Sequence, residues 1–134
     1  MNRKRTSKNT KRNGRPAPLQ LWHPDVPGPL WDGTRRVPRK QIESYCRVVA
    51  REFHPEKIIL FGSYAYGKPS LHSDVDLAVV MPFRGRDLRM MGKIRERVGA
   101  PFPMDLLVWN PARACQTDWF TREVLTRGEV MYEA

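Results

Sequence analysis

The sequence predicts an α/β (α+β) fold, with helices packed on one small mixed β-sheet. Short apolar runs bounded by Gly, Pro or Asp alternate with stripes of helical periodicity, and that alternation occupies residues 38–134. Hydrophobic residues make up 40% of a 134-residue chain, enough for a single modest core. No repeat divides it.

Taken in order, residues 1–15 hold no Leu, Ile, Val or aromatic residue and seven Lys/Arg, so disorder is expected there. Six of the twelve prolines fall in residues 16–38, with Trp22 and Trp31 among them, which favours extended chain with the tryptophans laid on the domain surface. Residues 1–37 therefore read as a basic, proline-rich, disordered or extended tail, and 38–134 as the domain. Ile42, Tyr45, Cys46, Val49 and Phe53 recur at helical spacing, and His54-Pro55 stops that helix. Lys57–Phe61 is a buried strand that ends at Gly62. Asp74–Met81 alternates as a second strand, with Val75, Leu77, Val79 and Met81 toward the core. Leu88, Met91, Ile94 and Val98 mark another helix, closed by Gly99 and Pro101. Met104–Trp109 is a third strand. Thr117 can cap a last helix carrying Phe120, Val124 and Leu125, Gly128 ends it, and Val130–Tyr132 forms a short edge strand.

Charge separates the same two parts. Residues 1–40 carry eleven Lys/Arg against Asp25 and Asp32, so nearly all of the net +10 lies there and the remainder is close to neutral. No apolar run approaches the ~18–20 residues needed to span a bilayer, and the basic N-terminus has no apolar segment behind it. A soluble, cytoplasmic protein without membrane contact follows. Two isolated cysteines, Cys46 and Cys115, suit reduced thiols better than a disulfide or a zinc site.

The chemistry concentrates between the first two strands. Gly62, lacking a Cβ, lets the backbone bend sharply and approach a ligand, and Ser63 opens a short helix whose free N–H groups favour an anion. An ordinary strand-to-helix turn with a serine cap would look the same. Asp74 and Asp76 alter that balance. At i, i+2 on a strand they share one face, roughly 6.5–7 Å apart at Cα, where two buried carboxylates need a cation to offset repulsion and desolvation. Mg²⁺ or Mn²⁺ with a nucleoside triphosphate fits both features, since Mg²⁺ is usually held by one or two carboxylates and substrate phosphates. Asp105, second in the apolar strand MDLLVWN, would join them if its strand is a neighbour, although it could also cap a strand start. Three acids suit a two-metal site, and one of them could take a proton from an attacking hydroxyl.

Gly62-Ser63, ten residues, Asp74-Val75-Asp76 and a later strand Asp105 resemble the DNA polymerase β-like nucleotidyltransferase superfamily. The similarity is closest to its minimal (MNT) members, often encoded beside a HEPN partner as toxin–antitoxin pairs. It spans residues 39–134, with the basic N-terminal extension as the departure. The resemblance implies a nucleotidyltransferase fold, Gly62 and Ser63 on the triphosphate, and Asp74, Asp76 and Asp105 as the metal-binding catalytic triad. It further implies transfer of AMP from ATP to a hydroxyl, such as a tyrosine of a HEPN-type partner. Two alternatives stand beside it: an antitoxin acting by binding alone, and a nucleic-acid-binding protein using residues 1–15 for weak, salt-sensitive phosphate contacts. Lys68, His72 and the arginine-rich 84–97 segment are secondary candidates better explained by solvation, and Tyr64 and Tyr66 are explained as well by packing as by contact with a base.

Overall fold

The computed structural model describes residues 23–134, together with two short strands, β1 (Lys11–Arg12) and β2 (Arg15–Pro16). These pair antiparallel. The rest of the segment up to Trp22 lies outside the described residues.

The domain continues as α1 (Arg39–Phe53), β3 (Lys57–Phe61), α2 (Ser63–Tyr66), β4 (Val75–Val80), α3 (Asp87–Arg97), β5 (Met104–Trp109), α4 (Pro111–Ala114), α5 (Trp119–Arg127) and β6 (Glu129–Glu133). The sheet order is β5-β4-β3-β6, with β4 and β5 parallel and the other pairs antiparallel. It is the mixed sheet expected. Alternation gives it two faces. Ile58, Leu60, Val75, Leu77, Val79, Leu106 and Val108 join residues of α1 and α3 in the main core, whereas Ile59, Phe61, Ala78, Val80 and Trp109 pack with Val124 of α5. Among the described residues no helix is long and apolar enough to cross a membrane.

Two local expectations are corrected, and one short element is added. Leu88 is 71% exposed, because it lies about 120° round the helix from Ile94, the one fully buried residue of α3. Asp118 caps α5 instead of Thr117: its carboxylate accepts from the Thr121 N–H at 3.2 Å, a reach that Thr117, one residue outside, lacks. The one-turn helix α4, opened by Pro111 after Asn110, has too few residues to show a period.

Packing also continues on the N-terminal side of Pro38. Residues 23–37 form no helix or strand, yet Val26 and Val37 sit in the main core, and Trp31 packs against it. The segment is tied down by His23 N–H to Gly99 O (3.0 Å), Trp31 N–H to Pro101 O (2.8 Å) and the buried Gln41 amide to Pro29 O (2.9 Å).

Candidate active site

Antiparallel pairing of β3 with β4 sets Phe61 opposite Asp76, and parallel pairing of β4 with β5 sets Asp76 beside Asp105. Adjacent strands lie about 4.8 Å apart, so Asp76 is flanked by the turn that leaves β3 and by a second carboxylate. Asp74 stands just before β4, and the next residue extends the ladder through Val75 N–H to Pro103 O at 3.0 Å. Asp74 and Asp105 are exposed and Asp76 is half-buried.

Gly62 follows β3 directly with φ 74° and ψ −160°, a conformation that side chains rarely adopt. A Cβ at this position would run into the Asp76 carboxylate, which lies against the glycine backbone. The turn after β3 and the carboxylate strand are thus fitted to each other. Ser63 begins α2, and Gly62 O accepts the Ala65 and Tyr66 N–H groups at 3.0 Å each.

Burial, and then the charges of Asp105 and Asp74, push the Asp76 carboxyl up to about 6. None of the three acids forms an ion pair among the described residues. They are also not gathered into a closed metal cage, for no group of three or more His, Cys, Asp or Glu with that geometry occurs among the described residues. The donor chemistry nevertheless fits Mg²⁺ or Mn²⁺. Hard carboxylate oxygens on neighbouring strands, mutually repelling and without a cationic partner, are the ligands such ions take, with substrate phosphates filling the remaining positions.

The secondary candidates separate. Tyr64 Oη accepts the Val37 N–H at 2.9 Å, and the Arg127 guanidinium lies 4.0 Å from the Tyr66 ring centre, so both side chains are engaged within the fold. His72 and Lys68 are exposed in the loop. Of the arginine-rich segment, Arg95 donates to Met104 O and Arg97 lies over Phe53, which leaves those two structural. Sequence inspection missed a cleft of about 480 Å³ at the far end of β5, lined in part by Leu107, Trp109, Asn110, Arg113 and Phe120. The i, i+2, i+4 series Asp105, Leu107, Trp109 was its one available signal.

Residues 40–134 match the family model "Polymerase beta, Nucleotidyltransferase". The chain belongs to this nucleotidyltransferase family. Among curated proteins none matches it closely. Of solved structures, one from Sulfolobus solfataricus, described as a candidate nucleotidyltransferase, superposes with a TM-score of 0.52 at 18% identity, covering 69% of this chain and 77% of the other. That likeness shows a shared nucleotidyltransferase fold. Two weaker superpositions cover 69% of this chain and 73% of the other. One is a toxin–antitoxin with AMP-PNP (TM-score 0.48, 21% identity), the other a mutant of the toxin–antitoxin MntA-HpeT (0.46, 18%).

Proposed function

We propose that this nucleotidyltransferase moves AMP from ATP to a hydroxyl acceptor, a tyrosine side chain on a HEPN-type partner, and so acts as the antitoxin of a pair. The observation that carries the transfer is the fit of the Asp76 carboxylate between the Gly62 backbone and Asp105. The acceptor class rests on the sequence resemblance to minimal family members.

In this reading Gly62 brings its backbone up to the triphosphate, and Ser63 supplies a hydroxyl and an amide at the helix start. Asp74 and Asp76 hold a divalent ion, which, when bound, offsets charge on the phosphates and on the departing pyrophosphate. Asp105, exposed and beside Asp76, accepts the acceptor's hydroxyl proton. The new bond joins that oxygen to the α-phosphorus, the α–β bridging bond breaks, and pyrophosphate carries away the electron pair.

Incubation with α-labelled ATP, Mg²⁺ and the candidate partner tests this. Wild-type protein labels a partner tyrosine and releases pyrophosphate, and Asp76→Asn loses at least ~100-fold in rate, the scale of removing a centre of charge stabilisation. Transfer by Asp76→Asn at the wild-type rate would exclude the assignment. Neutralisation of the toxin without any label transfer would favour action by binding.

A further inference from the structure

We propose that residues 23–37 form a strap that braces the phosphate turn, with Tyr64 as the positioning residue through which the strap acts. Because this builds on nucleotidyl transfer at the Gly62–Asp76 turn, its test includes a readout that needs no nucleotide.

Helix α2 has four residues, far below the ~12–15 at which an isolated helix is even marginally stable. Its shape must come from anchors. One is the seat of Gly62 against Asp76, and a second is the Arg127 guanidinium over the Tyr66 ring. The third is the hydrogen bond from the Val37 N–H to Tyr64 Oη, 27 residues apart in the chain and partly buried. Tyr64 is the neighbour of Ser63, so this bond reaches the residue next to the phosphate contact.

The strap end of that bond is itself fixed. Val37 is buried in the core, and Pro38 O accepts the Gln41 and Ile42 N–H groups that open α1. At the far end Val26 is fully buried, and Gln41 Nε2 donates to Pro29 O. Gly28, at φ +111°, lies where any Cβ would meet the Gln41 amide. Held at both ends, the strap presents a donor of fixed position to Tyr64. The family match begins at residue 40, so the strap belongs to this chain and not to the matched region. A turn held in place before substrate arrives binds phosphate without first having to be ordered, and this is where a brace improves affinity.

Tyr64→Phe in the full chain removes the acceptor and keeps the ring. Expected are a rise in KM for ATP of about three- to tenfold, the effect of one lost hydrogen bond, and kcat within about twofold. Affinity for ATP should fall relative to AMP by a similar factor, because the turn holds phosphates. Hydrogen exchange at the Ala65 and Tyr66 amides should quicken. Gly28→Ala, remote from the turn, should reproduce this pattern by unseating the strap from Gln41. Equal weakening of ATP and AMP by Tyr64→Phe, or unchanged exchange at Ala65 and Tyr66, would overturn the brace. Absence of transfer by the wild-type protein would instead overturn the nucleotidyl-transfer reading, while the exchange measurement still decides the brace.

Discussion

At the scale of single residues, Gly62 and Asp76 are a matched pair, and their variants fail in different ways. Gly62→Val places a branched side chain at φ 74° against a carboxylate. It should cost about 1–3 kcal/mol of stability from backbone strain alone, seen in urea unfolding, and should weaken ATP–Mg²⁺ binding in calorimetry. Asp76 gives a pH signature. Its folded carboxyl titrates near 6 against an ordinary 3.8, so between those values the folded state keeps a proton that the unfolded chain has lost. The Asp76 contribution to metal-free stability, read as wild type minus Asp76→Asn, therefore falls as pH rises from about 4 to about 6 and is level above that. Added Mg²⁺ should raise the melting temperature more at pH 7.5 than at pH 5, since protons compete with the ion for the same oxygens. Asp76→Asn should flatten both trends and melt on the order of a few degrees higher without metal. A wild-type-minus-Asp76→Asn difference that rises over this interval would contradict the assigned cause, burial beside two like charges.

At the scale of elements, what the sequence revealed was whatever repeats. The stripe from Ile42 to Phe53 and the trio Met91, Ile94 and Val98 each report one buried face, the apolar run Val75–Val80 reports a strand buried on both faces except at Asp76, and all belong to helices or strands as expected. The constellation of Gly62, Ser63, Asp74, Asp76 and Asp105 stands out in the sequence for a different reason, that acids within apolar strands call for a compensating charge, and of its spatial consequences the structure shows Asp76 set beside Asp105 and against Gly62. Tyr64 was not legible in that way, since its partner is the main-chain amide of Val37, which no residue type announces. The strap escaped too: proline-rich chain without periodicity reads as tail, yet isolated Val26 and Val37 bury completely or nearly so. Truncations separate these readings. Removing residues 1–22 should leave the urea midpoint and ATP affinity near wild type. Removing residues 1–37 should lower the midpoint, with stability falling by about 1.5–3 kcal/mol for each buried valine given up. Equal midpoints for the two truncations would restore the boundary at Pro38.

At the scale of the whole molecule, charge and fold are carried by different stretches. Residues 1–22 contain seven Lys/Arg and no acid, so deleting them takes the net charge from +10 to +3. Any salt-sensitive binding to nucleic acid should vanish in a filter-binding assay, while nucleotide chemistry remains. The sheet order has a further consequence, for the order of assembly in time. β3 pairs with β4 within residues 57–80, whereas β6 reaches β3 across some seventy residues of chain. Closing the short loop sacrifices less chain entropy, so the β3–α2–β4 segment can nucleate while β6 arrives late. Conservative substitutions at Leu60 and Leu77 should slow refolding, and those at Met131 should chiefly hasten unfolding, in stopped-flow denaturant jumps. Gly62 would then meet Asp76 in the first structure to form, leaving Asp105 and the last strand to be added to a turn already shaped.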